Sequence, residues 1–201
     1  MSLTPDFPKV DLRMPPDVKL DDDLFFAICQ ANREFRIERS ATGDIRIMPP
    51  TGGETGRKGS ELVADLVAWS REDGRGIVFD SSTGFTLPDG ATRSPDAAWV
   101  RKERLAPLTD QQKRGFLPLA PDFVAELASP TDRVDELKEK MREYVANGVR
   151  LGWLIVPDAR RVIVYRPDAG PHTLEDPESL TGDPVLPGFR LDVARIFEPG
   201  F

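Results

Sequence analysis

The chain has 201 residues, 39% of them apolar and 30% charged, which is the size and balance of one globular domain with a single sizeable core and leaves little room for a second. A net charge of −7 argues against binding nucleic acid through bulk electrostatics, because phosphate contacts are what make such proteins basic. The single cysteine, Cys29, rules out an intramolecular disulfide and a cysteine-rich zinc cluster, and no apolar run approaches the roughly 18 residues that a membrane span requires.

The first nineteen residues are rich in Pro and Asp without a clear period, and read as an extended arm ahead of a single domain over 20–201. They contain no continuous apolar stretch of the kind a secretory signal needs, so a cytoplasmic location is expected. Leu20 to Asn32 reads as the first helix, with Asp21, Asp22 and Asp23 placed against its positive end. Cys29 falls within it and reads as a small buried hydrophobe. Two alternating segments, 35–39 and 44–48, flank the turn 40–43 and predict a hairpin with one wet face. After the Pro49-Pro50-Thr51-Gly52-Gly53 break, Leu62, Leu66 and Trp69 recur at helical spacing.

Segments 77–79 and 84–87 are short strand candidates, and Pro88-Asp89-Gly90 turns the chain into a further strand at 94–100. A polar loop leads to the apolar strand 122–128. Val134, Leu137, Met141, Tyr144 and Val145 then trace one helical stripe, with Ser129 and Pro130 suited to the helix start and Asn147-Gly148 to its end. A second hairpin pairs 152–156 with 161–165, and a proline-punctuated tail follows.

Glu126 is the most informative residue. It shares one face of its strand with Val124 and Ala128 while Phe123, Ala125 and Leu127 fill the other, so both faces read as buried. An ionised carboxylate there is costly unless it is paired, hydrogen-bonded or bound to a metal; a structural salt bridge is the competing reading. Asp96 stands at the mouth of another apolar strand, where a turn aspartate is the competing reading. Thirty residues of separation allow the chain to return and set the two acids side by side. Such a pair suits a magnesium ion and metal-assisted phosphodiester hydrolysis. Lys138 and Lys140 flank opposite edges of the following helix's apolar stripe, and periodicity does not choose between them. Local basic groups that could meet phosphate are Arg57-Lys58, Arg93, Arg101-Lys102-Arg104 and Lys113-Arg114. Trp69, Trp99 and Trp153 read as core aromatics, and His172 as a loop residue without a catalytic partner.

Several runs together carry a resemblance: Met48-Pro49-Pro50-Thr51-Gly52-Gly53-Glu54, the segment 79–85, Arg93-Ser94-Pro95-Asp96, Pro121-Asp122-Phe123-Val124-Ala125-Glu126, Lys140-Met141 and the segment 147–154. In this order the chain resembles the Uma-two family of restriction-endonuclease-like proteins, within the PD-(D/E)XK nuclease-like superfamily. The resemblance implies an α+β or α/β fold, a restriction-endonuclease-like mixed β-sheet flanked by helices, to which the N-terminal helix and hairpin are additions. It further implies a divalent-metal-dependent endonuclease acting on nucleic acid, DNA in preference, with Mg2+ or Mn2+ held by Asp96 and Glu126. By the family pattern alone, the lysine before the helix methionine is Lys140, and a helix-borne acid maps to Glu54, with Glu61 competing. A homodimer is expected on the same ground. Ala128 stands where the superfamily's name pattern puts lysine, which leaves open a catalytically inactive binding or oligomerising module.

Overall fold

The computed structural model describes residues 9–15, 17, 18 and 20–201; positions 1–8, 16 and 19 of the expected N-terminal arm lie outside the described residues. The arm's described part contributes β1 (Val10–Leu12), followed by α1 (Asp22–Ala31), the hairpin β2 (Arg36–Arg39) and β3 (Ile45–Met48), and α2 (Gly53–Asp73). Next come β4 (Gly76–Asp80), β5 (Phe85–Thr86), β6 (Thr92–Arg93) and β7 (Ala97–Arg101), then α3 (Lys102–Leu105), α4 (Asp110–Arg114) and β8 (Phe123–Leu127). The chain closes with α5 (Val134–Ala146), β9 (Leu151–Val156), β10 (Arg161–Arg166), β11 (Ala169–Glu175), β12 (Ser179–Thr181), β13 (Arg190–Asp192) and α6 (Ala194–Phe197).

Local chemistry explains the helix limits. Asp21 caps α1 by accepting the Leu24 backbone N–H at 2.8 Å. Gly74 ends α2 in the left-handed conformation, φ 72°, where a side chain would be strained. α5 starts later than the Ser129-Pro130 pair suggests, with Arg133 at its cap position. The Asp132 carboxylate accepts both the Ser129 backbone N–H, at 2.8 Å, and its hydroxyl, at 2.7 Å, and it also pairs with Lys9. That local hydrogen bonding competes with a helical first turn.

Among the described residues the central sheet has six strands in the order β11-β10-β9-β8-β7-β4. Its one parallel pair is β8–β9, joined by the α5 crossover, and the other pairs are antiparallel. This is the expected mixed sheet flanked by helices. A second sheet, in the order β1-β3-β2-β6-β5, carries the N-terminal hairpin, and β12 pairs with β13.

Alternation along the central strands separates two cores. On one face Ala97, Trp99, Phe123, Ala125, Leu127 and Trp153 pack against Leu62 and Leu66 of α2 and Ile196 and Phe197 of α6. Trp99 lies over Gly76, where an added Cβ would stand 2.0 Å from the indole. The polar atoms of two tryptophans are satisfied: Trp99 donates to Ser70 Oγ and Trp69 to the Pro187 carbonyl. On the other face Ala98, Val100, Val124, Ala128 and Leu154 meet Met141 and Tyr144 of α5.

The polar loop after β7 contains α3 and α4, both too short for periodicity to register, the latter closed by a Thr109–Gln112 capping box. The tail likewise folds into β11, β12, β13 and α6. β11 is an exposed edge strand, and His172 sits on it opposite Val164 rather than in a loop. No helix of the described residues is long and apolar enough to cross a membrane.

Candidate active site

The β7–β8 register brings the two sequence-selected acids together. Ala97 pairs with Ala125 in antiparallel sense, so Asp96, one step before β7, faces Glu126 across the ladder, and both belong to the α5 side of the sheet. The Asp96 carboxylate is anchored there by the Leu127 backbone N–H, which donates to Oδ2 at 2.8 Å. Glu126 is buried, and α5 supplies its partners: Lys140 Nζ lies 2.9 Å from Oε1, and the Tyr144 hydroxyl donates to the same oxygen at 3.0 Å. Of the two candidate lysines, Lys140 is therefore the one that reaches Glu126. Lys138 pairs with Asp135 on the exposed side of the helix, at 3.0 Å.

The N-terminal hairpin completes the cluster. Glu38 is buried and accepts from Lys140 Nζ at 2.8 Å and from the Ser94 backbone N–H at 3.0 Å. Arg36 donates through Nη1 to Asp96 Oδ1 at 2.9 Å and through Nη2 to the Ser94 carbonyl at 2.6 Å. Arg93 lies 3.4 Å from Glu38 Oε2 and holds Glu143 of α5 with two nitrogens, at 2.6 and 2.9 Å.

The sequence reading missed Glu38 and Arg36. Their face of the hairpin was expected to be wet, whereas it closes over the strand ends, and Ile37 and Arg39 on the opposite face are buried as well. The sequence carried no signal for them, since an arginine and a glutamate alternating on one strand face are the ordinary pattern of a solvated surface.

Position decides the protonation of these groups. Burial pushes the Glu126 carboxyl up, Asp96 adds repulsion, and the nearby Lys140 offsets only part, leaving it at about 7. Burial acts on Glu38 in the same direction, but Lys140, Arg36 and Arg93 outweigh it and bring that carboxyl down to about 2. Burial alone would lower the Lys140 ammonium, yet Glu126 and Glu38 raise it overall, so it keeps its proton. Burial and the two acids together hold the Tyr144 phenol well above its ordinary range.

The donor set suits a hard divalent cation. Four carboxylates, Glu38, Asp96, Glu126 and Glu143, meet three cations, Arg36, Arg93 and Lys140, so ionisation of Glu126 leaves the cluster one negative charge in excess. The described hydrogen bonds of Glu126 fall on Oε1. Among the described residues, no three His, Cys, Asp or Glu side chains stand in an enclosing metal geometry. Magnesium takes one or two protein carboxylates and completes its shell with water and substrate oxygens; Asp96 and Glu126 are the facing carboxylates that could supply them.

The remaining expected groups lie elsewhere. Glu54 opens α2, pairs with Arg57 at 3.1 Å and accepts the Gly200 backbone N–H at 3.1 Å; Glu61 faces Arg195 at 3.9 Å. No described hydrogen bond or ion pair joins either acid to Asp96, Glu126 or Lys140. Of the basic groups, Arg93 enters the cluster, while Arg101, Lys102 and Arg104 lie at the other end of β7, with Arg104 3.1 Å from Asp122.

Comparison with known proteins follows the same direction. Residues 22–194 match the model of a family named Uma2 and described as "Putative restriction endonuclease". The crystal structure of "a putative nuclease belonging to DUF820" from Anabaena variabilis ATCC 29413 superposes with a TM-score of 0.68 at 23% sequence identity, covering 80% of this chain and 89% of that one. At that identity the likeness concerns the fold. No curated protein matches the chain.

Proposed function

The chain belongs to the Uma2 family of restriction-endonuclease-like proteins, and from that membership we propose that it is a divalent-metal-dependent endonuclease hydrolysing phosphodiester bonds in nucleic acid, with DNA the favoured substrate. The observation that carries this reading is the facing pair Asp96 and Glu126 on adjacent strands, with Lys140 Nζ 2.9 Å from Glu126. We further propose that the protein acts as a cytoplasmic homodimer.

Asp96 and Glu126 would hold Mg2+ or Mn2+. The bound cation supplies a lowered pKa for attacking water and neutralises charge developing on the phosphate. The chain's own residues then have separable tasks. Lys140 keeps its proton between Glu126 and Glu38, so it serves as a hydrogen-bond donor to the developing negative charge and not as a base. Glu38 holds the ammonium in place at 2.8 Å. Tyr144 fixes the Glu126 carboxylate by donating to Oε1, and the Leu127 backbone N–H orients Asp96.

The test is incubation of the purified chain with supercoiled and linear DNA and with RNA, in Mg2+, Mn2+ or chelator. Metal-dependent cleavage of DNA is expected, reduced at least about 10²-fold in Asp96→Asn and Glu126→Gln. Intact substrates, together with unchanged metal affinity in both variants, would remove the reading.

A catalytically inactive binding or oligomerising module is the second reading. It is favoured by Ala128 in place of the superfamily's lysine and by the cluster's own cations already neutralising most of its acids. Glu126→Ala separates the two. As a structural acid Glu126 would cost stability when removed, whereas a crowded metal-binding acid leaves stability unchanged or higher.

A further inference from the structure

We infer that Arg36 is a built-in counter-ion for Asp96, and that a divalent cation taking Asp96 Oδ1 as a ligand must displace its guanidinium. This rests on the metal-dependent reading above.

Both oxygens of Asp96 are engaged: Oδ2 accepts from the Leu127 backbone and Oδ1 from Arg36. The Leu127 donor is a backbone N–H of β8, held in place by the pairing of Leu127 with Ile155 of β9. Arg36 is the movable partner. Its side chain is 28% exposed, against 11% for Lys140, which is wedged between two buried carboxylates.

The arginine is also incompletely satisfied where it stands. Its Nε is buried without a hydrogen-bond acceptor, so the present rotamer leaves one donor's desolvation unrepaid. It is held instead by charge. Burial pulls the guanidinium's pKa down, but Asp96, Glu38 and Glu126 outweigh that and raise it. A compact ion of twice the charge, taking hard oxygen ligands, competes for the same field. Arg36 thus positions Asp96 and sets a threshold for metal entry.

Calorimetric titration of Mn2+ alone into the full chain tests the inference with no catalytic readout. Arg36→Gln should bind Mn2+ at least about tenfold more tightly than the wild type, a change of about 1.4 kcal/mol. Arg36→Lys keeps the charge but loses the two-pronged grip on Asp96 and the Ser94 carbonyl, so it should also bind more tightly. Arg93→Gln removes a neighbouring cation that does not touch Asp96, and reports the field effect alone.

Affinity in Arg36→Gln that is unchanged, weaker, or raised no more than in Arg93→Gln overturns the inference while leaving the metal site standing. Failure of the wild type and both Arg36 variants to bind Mn2+ removes the metal-dependent reading and this inference with it. If circular dichroism shows Arg36→Gln unfolded, the comparison of Arg36→Lys with the wild type decides alone: tighter binding supports displacement, equal or weaker binding overturns it.

Discussion

The two faces of the central sheet are built from the same strands by alternate residues, yet they do opposite things with charge. On the α2 side Phe123, Ala125 and Leu127 enter a core of tryptophans, leucines and phenylalanines. On the α5 side their neighbours Val124, Glu126 and Ala128 border a core that admits Glu126, Glu38 and Lys140 at its rim. One face is built for stability by apolar burial alone. The other accepts a concentration of buried, mutually paired charge, which is costly to desolvate and is a feature of functional sites.

The most severe way to break this contrast is to put a carboxylate on the apolar face. Ala125→Glu places an unpaired charge between Ala97 and Trp153, and should destabilise by about 4 kcal/mol or more in urea denaturation, enough to leave a marginal fold largely unstructured. A loss under about 1 kcal/mol would mean the face is wetter than its burial implies.

Removing the shared cation comes next. Lys140→Met leaves Glu38 and Glu126 facing each other without it, and should cost about 3–5 kcal/mol near pH 8. The same variant should lose less near pH 5.5, because protonating Glu126 removes one of the two charges. A penalty independent of pH would indicate that Lys140 acts through packing.

The wild-type pH dependence sharpens the comparison further. Glu126 is raised from 4.5 to about 7 in the folded state, so the fold binds its proton more tightly than the unfolded chain does. This favourable term is complete below about pH 4.5 and is lost as pH rises through about 7, a change of about 3 kcal/mol. Glu38 runs the other way. Lowered to about 2, it stabilises above about pH 4.5 and loses that contribution as the pH falls toward 2. Thermal melts across this range should show the first slope in the wild type and its absence in Glu126→Gln.

The smallest effect tests whether burial, and not merely charge, sets the contrast. Arg161 on β10 pairs with Glu175 on β11 at 2.8 Å, with both side chains exposed at the sheet edge. Arg161→Ala should change stability by only about 0–1 kcal/mol and less at high salt.

Much of this was legible in the chain itself. The α2 and α5 stripes, the two hairpins and the strand around Glu126 follow from apolar periods of 3.6 and 2, and α1 from the acids at its N-terminus, signals that depend on near neighbours along the sequence. Glu126 stood out because an acid with apolar residues on both sides in a strand violates that local pattern. Short elements such as α3, α4 and β11 left no such trace, being too brief or too exposed to need one.

What the sequence could not supply was adjacency. Asp96 and Glu126 face each other because Ala97 pairs with Ala125, a register set by packing across the whole sheet. The choice of Lys140 over Lys138 depends on which edge of α5 turns toward the strand ends. Arg36 and Glu38 join the cluster only because the hairpin folds onto it. Local pattern determines which residues share a face of one element; only the packing of elements against each other decides which charges meet, because Coulomb and hydrogen-bond energies depend on distance through space and not on separation along the chain.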